Sequence, residues 1–482
     1  MRTALARAMK FHTAPRFTTI ALSLTLLAAC GGDSDPEPGE DAVSGERGQP
    51  GDWSSYGRDH ANTRANPLET TITPANVSTL VQKWSFAEGA VTSMPAVYDG
   101  TVYFGDWNAV LHAVDAKSGA ERWRAQVQEP TPINQINNTT LVTSDTVYTG
   151  AQGALLAAYD RNTGALKWSN NIDDQKSLML WSSPVLIDDT IIIGVGSFQV
   201  FLPMTPPFRG SVLGVNAKDG SVKWQRFLTE GSGVSVWSTA AIDPTRKLAF
   251  IGTGQEYTTG ASTPYSDAVV AIRYETGEIA WAAQFTVGDR FQAGQAEGPD
   301  HDVGAAPNLF ELNGKAALGV GDKAGRYYAL DRDTGAVIWK RELTPGGANG
   351  GVMATAAYAN GVIYVASNDG NTGGEAGEGG GPGACTIFAL NAADGTSRWE
   401  APSTSGTFGA LTVANGVLYA PSLAGEMRAY DVNTGARLWN QPIGMSMGAG
   451  ITVSNGMIYA GHGWVWAPIF PVPGGLVAYG LP

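Results

Sequence analysis

Seven times along this chain a short phrase returns: a polar residue, two more residues, a small polar residue, Gly, three residues and Trp. It runs Asp115…Ser118-Gly119…Trp123, Asp160…Thr163-Gly164…Trp168, Asn216…Asp219-Gly220…Trp224 and Arg273…Thr276-Gly277…Trp281. It continues with Asp331…Thr334-Gly335…Trp339, Asn391…Asp394-Gly395…Trp399 and Asp431…Thr434-Gly435…Trp439. Successive copies are about 40 to 60 residues apart, the period of propeller blades. An apolar strand such as Leu111-His112-Ala113-Val114 precedes each copy, and a second strand carries the Trp. Gly tolerates positive φ and an Asp or Asn side chain accepts from nearby amides, so each phrase predicts a β-hairpin turn. One large ring per repeat predicts a Trp packed between neighbouring blades.

A second hairpin alternates with the first. Its turns are placed at Asp99-Gly100, Asp145-Thr146, Asp189-Thr190, Asp243-Pro244, Asn313-Gly314, Asn360-Gly361, Asn415-Gly416 and Asn455-Gly456, each between apolar runs. Eight inner hairpins therefore meet seven complete outer ones. The eighth outer hairpin is split between the ends: Lys83-Trp84-Ser85-Phe86 is a Trp strand lacking a partner, and Gly475–Tyr479 is a strand lacking a turn. Pairing them closes the ring and removes its exposed edges. The expected fold is all-β: an eight-bladed propeller of four-stranded antiparallel blades.

Strand direction places the loops. Tight turns join first to second and third to fourth strands on one face, so the remaining connections lie on the other. Every long insertion (196–210, 254–267, 283–304, 367–384 and 461–474) falls in those connections. Function is sought on this elaborated face.

The chain opens with Arg2, Arg7, Lys10 and Arg16, then an apolar run from Ile20 to Ala29 and Leu27-Ala28-Ala29-Cys30. This reads as a signal peptide over 1–29, too short to remain as a membrane span. Its end resembles a bacterial lipobox, implying a lipidated Cys30 and an envelope protein, with Gly31 after the cysteine leaning toward the outer membrane. Residues 30–52, rich in Gly, Pro, Asp and Glu, read as an acidic tether, and 53–482 as the propeller. Cys385 is the one other cysteine, and no Cys-x-x-Cys-His occurs, so no covalent haem is expected. His60, His112, His301 and His462 are scattered, which argues against a zinc site. A net charge of −13 argues against nucleic-acid or anionic-membrane partners.

Residues 53–64, Trp-Ser-Ser-Tyr-Gly-Arg-Asp-His-Ala-Asn-Thr-Arg, resemble the opening segment of quinoprotein alcohol dehydrogenases, most closely the polyvinyl alcohol dehydrogenase branch. Ile72–Val77, Phe208–Val212, Val236–Thr239 and Gly298-Pro299-Asp300-His301-Asp302-Val303-Gly304 carry the same likeness, which extends from Trp53 to the C-terminus. The resemblance implies an eight-bladed propeller holding pyrroloquinoline quinone (PQQ) on a Trp. A Ca²⁺ polarises the quinone, an Asp acts as base, and a Lys or Arg stands beside it. By that likeness Trp237 is the stacking ring and Lys323 the cation. The family's Glu ligand falls near Gln199 and its Asn ligand on Gln255. Its Asp, metal ligand and base, falls on Arg273. Neutral Gln199 and Gln255 with a cationic Arg273 make a poor calcium site, and an Arg is no base. Arg273 is instead expected to join Lys323 around the quinone, so that binding depends little on calcium. Asp267, Asp300 and Asp302 are carboxylates on the elaborated face, with Asp300 and Asp302 the substitute catalytic candidates. Asp300-His301-Asp302 also reads as a plain Asp-rich turn.

Two functions stay open. One is a dehydrogenase oxidising a small or polymeric alcohol, with electrons passing to a separate acceptor. The other is a non-catalytic propeller acting as a binding or assembly scaffold for an envelope protein. Residues 464–470, Trp-Val-Trp-Ala-Pro-Ile-Phe, are an unusually apolar insertion that caps a pocket, meets a partner or packs over the channel mouth.

Overall fold

A computed structural model describes residues 49–129, 135–175, 178–197, 207–257, 263–292, 298–370, 383–464 and 473–482. Residues 1–48, including Cys30, lie outside them, as do Gln199, the acidic centre of the 367–384 insertion and residues 465–472. Eight separate β-sheets are each built on four antiparallel strands, consecutive in the chain in seven of them. Blade 1 comprises Ala96–Tyr98, Thr101–Gly105, Val110–Asp115 and Glu121–Gln126. Blades 4 and 5, which matter most below, are Ala241–Asp243, Leu248–Gly252, Ala268–Arg273 and Ile279–Gln284, then Asn308–Leu312, Lys315–Gly321, Arg326–Asp331 and Val337–Glu342. The eighth sheet takes Ile451–Ser454, Met457–His462 and Gly475–Gly480 from the C-terminus and Val81–Phe86 from near the N-terminus. Val81 pairs Gly480 and Phe86 pairs Leu476, antiparallel, which is the expected ring closure.

Each repeat phrase does two jobs. Asp115 accepts from the amides of Lys117 and Ser118, and Gly119 turns the chain at φ 72. The Trp of the preceding blade then lies on that glycine. A Cβ at Gly119 would stand 2.7 Å from Trp84, one at Gly164 2.7 Å from Trp123, and one at Gly220 2.5 Å from Trp168. The same contact joins Gly277 to Trp224, Gly335 to Trp281, Gly395 to Trp339 and Gly435 to Trp399. In every case the indole N–H also donates to a carbonyl of the next blade, as from Trp84 to Ala116 and from Trp123 to Arg161. At the seam Trp439 meets the Tyr479 ring edge-on instead, at 5.6 Å.

Five inner turns have both central residues at positive φ, as the Asp-Gly and Asn-Gly pairs require: Asp99-Gly100, Asn313-Gly314, Asn360-Gly361, Asn415-Gly416 and Asn455-Gly456. Two others shift by one residue. Thr146 and Thr190 already pair as strand residues, so these turns centre on Ser144-Asp145 and Asp188-Asp189. Pairing of Asp243 with Leu248 leaves a four-residue loop after Asp243.

The stretch 51–66 closes the bore from inside. Trp53 exchanges two hydrogen bonds with Val97 of blade 1, and Ser54 O accepts from Val142 of blade 2. The His60 ring bonds Leu186 O of blade 3, while His60 O accepts from Ile242 of blade 4. Ala61, Thr63 and Arg64 carbonyls accept from Leu309, Tyr358 and Val413 of blades 5, 6 and 7, and Asn66 donates to Val453 O of blade 8. One strap thus engages the innermost strand of every blade at the same position. It starts two residues before Trp53, since Gly51 O already accepts from Asn66 and Ser454. Removing residues 476–482 should expose the edges of two strands and lower the melting temperature by more than 10 °C in a thermal scan; an unchanged transition would refute closure by this pairing.

Candidate functional site

Blades 4 and 5 send four connections to one place on the elaborated face. Trp237 belongs to the link from Phe227 to Ala241, and Gln255 follows the second strand of blade 4. Asp289, Asp300 and Asp302 lie in the link from blade 4 to blade 5, and Lys323 follows the second strand of blade 5. The main chain binds these segments together. Val303 N donates to Thr253 O at 3.0 Å, and Lys323 N to Asp302 O at 2.9 Å. Asp289 receives the amides of Phe291, Asp300 and His301, which fixes the turn bearing the two aspartates.

The side chains then converge. Lys323 Nζ lies 2.5 Å from Asp300 Oδ1 and 3.7 Å from Asp302 Oδ2. The other Asp302 oxygen, Oδ1, accepts from the Gln255 amide at 2.9 Å, and Gln255 Nε2 donates to Phe291 O. Trp237 is half-buried, and its six-membered ring passes over Gly304: a methyl there would stand 1.7 Å from Cη2. Asp267, fully buried, accepts no hydrogen bond on either carboxyl oxygen among the described residues. Asp267 (φ 48) and Asp300 (φ 57) both adopt the left-handed conformation, a local strain that clusters at functional sites.

Charge is unbalanced here. Burial pushes Asp302 up to about 7, against Lys323 and helped by Asp300 and Asp289. Asp300 is raised by burial, which outweighs Lys323. Asp267 is held well above the ordinary range by burial, then by Asp302, Asp289 and Asp300. Burial would lower Lys323, but Asp300 and Asp302 more than offset it and keep the ammonium charged. The result is a charged Lys, a carboxyl at Asp267 whose proton is held more tightly than usual, and a carboxyl at Asp302 poised near neutrality.

The structure brings together Trp237, Gln255, Asp300, Asp302 and Lys323. It does not bring Arg273. That residue ends the third strand of blade 4 at the tight-turn face, opposite Leu248, exposed and 3.6 Å from Glu278. Asp267 precedes the other end of the same six-residue strand, so Arg273 stands roughly 17 Å away or more along it. The expectation of Arg273 beside Lys323 is corrected, because repeat-phrase residues all belong to the turn face. Its repulsion of a cation falls away with it. Gln199 lies outside the described residues. Among the described residues no three Asp, Glu, His or Cys side chains are grouped to hold a metal. Asp289 was missed from sequence: it sits in the long 283–304 insertion, and only the fold shows that it caps the Asp300 turn.

Gly304→Ala should displace the Trp237 indole at a stability cost of only about 1–3 kcal/mol. A changed tryptophan emission spectrum with a retained cooperative melt is the expected outcome, and an unaltered spectrum would contradict the ring's position.

The family described as outer membrane protein assembly factor BamB (PQQ_2) matches residues 78–290 and 323–466. A polyvinylalcohol dehydrogenase of Sphingopyxis sp. (strain 113P3) is 28% identical, over 81% of this chain and 67% of that protein. The crystal structure of the quinohemoprotein alcohol dehydrogenase from Comamonas testosteroni superposes with a TM-score of 0.73 at 20% identity, covering 89% of this chain and 80% of that one. BamB from Moraxella catarrhalis superposes at 0.56 and 14% identity, covering 83% and 97%. Those two likenesses show the propeller fold. With matched segments spanning most of its length, the chain belongs to the PQQ_2 propeller family.

Proposed function

We propose that this chain is a quinoprotein-type dehydrogenase that oxidises an alcohol, secondary or polymeric, and passes electrons to a separate acceptor. The observation that carries this reading is Asp302, a buried carboxyl poised near neutrality beside a charged Lys323, two residues from the Gly304 that underlies a half-buried Trp237. The similarity to polyvinylalcohol dehydrogenase supports it.

The residues present fit a planar anionic quinone. The Trp237 ring offers a stacking floor, and Gly304, lacking a Cβ, leaves room for its six-membered ring. The Lys323 ammonium, held by Asp300, suits a carbonyl or carboxylate oxygen. When bound, PQQ supplies the hydride acceptor. Asp302 takes the substrate hydroxyl proton on Oδ2, while the Gln255 amide orients Oδ1. Asp300 keeps Lys323 charged and in place. The Gln255 side-chain carbonyl is a neutral oxygen ligand suited to a cation, and the surplus of carboxyls over the single ammonium favours one there. Calcium is therefore included in the proposal, its test being quinone binding measured with and without a chelator.

Asp302→Asn should leave quinone binding in place but lower turnover at least 100-fold. In the parent protein, turnover should rise with pH through a limb near 7, as Asp302 loses its proton. The same shift has a stability sign. A folded value above the unfolded one, about 4 for Asp, means this group costs stability increasingly from pH 4 upward through pH 7, and Asp302→Asn should remove that part of the pH dependence. Equal turnover in Asp302→Asn and parent would sink the assignment. Failure of the parent to bind quinone at all would favour the second reading, an envelope scaffold, which the family description supports.

We also propose that Cys30 anchors the protein to the cell envelope through lipid. Cys30→Ser should move it from the membrane to the aqueous fraction; retention in the membrane fraction would refute the anchor.

A further inference from the structure

Arg64 is fully buried, and none of its hydrogen-bond partners is an acid. Its Nε donates to Leu411 O at 2.7 Å, Nη1 to Tyr56 O at 2.5 Å, and Nη2 to Met94 Sδ at 2.9 Å and Thr412 Oγ1 at 3.4 Å. The guanidinium also faces the Tyr56 and Trp53 rings, at 4.7 and 5.7 Å. No carboxylate lies within ion-pair distance of it among the described residues. Asp59, the acid that acts on it from a distance, is bonded to the Thr63 amide and hydroxyl instead. Two carbonyls, a thioether and a hydroxyl satisfy its donors but leave its charge uncancelled.

The position of that charge follows from the strap. The strap meets the eight inner strands at equivalent residues, among them Val97, Ile242, Leu309 and Val453. Trp237 and Gly304, the floor of the site, each stand five residues before their strand's contact point, as do Thr92 of blade 1 and Gly448 of blade 8. Met94 and Gly450, which flank the Arg64 Nη2 atom, stand three before. The guanidinium is therefore set two residues deeper along the inner strands than the level of the Trp237 floor, an offset along the strands of at most about 7 Å, and it lies against blades 7, 8 and 1 while Trp237 and Gly304 belong to blades 4 and 5. The guanidinium is wholly out of contact with solvent, so its field is less screened than that of a surface charge.

We infer that Arg64 is a positioning residue for the charge of the bound ligand: a fixed cation set deeper along the inner strands than the floor, which favours a polyanionic planar ligand and favours it further once reduced. This rests on the quinone reading above and adds to it a second cation that never touches the ligand. A residue that only pegs the strap in place predicts something different, namely a change in melting temperature with no change in redox potential.

The test uses the full chain with two quinones, tricarboxylate PQQ and the neutral phenanthroline-5,6-dione, in the parent, Arg64→Lys and Arg64→Gln. Calorimetry should show Arg64→Gln binding PQQ about tenfold more weakly while its affinity for the neutral dione is unchanged; Arg64→Lys should keep most of the parent's preference. The midpoint potential of bound PQQ should fall in Arg64→Gln and stay near the parent value in Arg64→Lys. Should Arg64→Gln not fold, Arg64→Met, of similar length and without charge, takes its place in the same measurements. An unchanged potential and unchanged preference in the uncharged variant overturns this inference alone. Absence of PQQ binding to the parent overturns the quinone reading together with it.

Discussion

The contact between the Trp of one blade and the turn glycine of the next is the interaction on which this propeller depends. Seven such contacts run round the ring, and each combines a large apolar ring, a glycine no side chain can replace, and an indole N–H bonded to a neighbouring carbonyl. Two of the seven rings, Trp84 and Trp399, are buried and the other five half-buried, so each of those five stabilises the ring by less than the about 3–5 kcal/mol of a fully buried Trp. Because the docking repeats at constant geometry, it also sets the angle between blades, and hence their number.

The inner edges of the sheets pose a different problem. Each innermost strand presents unpaired amides and carbonyls to the bore, where burial without partners is costly. A single strap solves this for all eight blades by offering successive backbone groups, and two side chains, to the same position of each strand. The price is a buried Arg64 whose charge finds only neutral acceptors.

The candidate site was legible in part. Resemblance points to Lys323 and Trp237, and a place in an insertion on the elaborated face to Asp300 and Asp302; the structure sets Lys323, Asp300 and Asp302 together, with Trp237 against the nearby Gly304. Arg273 was misplaced because a local match in the repeat phrase was trusted over strand direction. The phrase marks a turn, every such turn belongs to the opposite face, and the strand's length carries Arg273 away. The role of Asp289, and the lack of a hydrogen bond to the Asp267 carboxyl among the described residues, had no signal in sequence, since both depend on what a distant loop brings alongside.

By itself the sequence determined the blade: turn chemistry at Asn-Gly and Asp-Gly pairs, alternation along strands, and one Trp per repeat are local properties, readable within a dozen residues. It determined the count and the seam as well, because an unpaired strand at each end admits one solution. Only the tertiary structure decided the charges. The values of Asp302, Asp267 and Lys323 arise from burial and from neighbours brought together across blades, and the depth of Arg64 arises from a strap whose course touches every blade. Local pattern fixes backbone; desolvation and long-range proximity fix chemistry, and neither is written in adjacent residues.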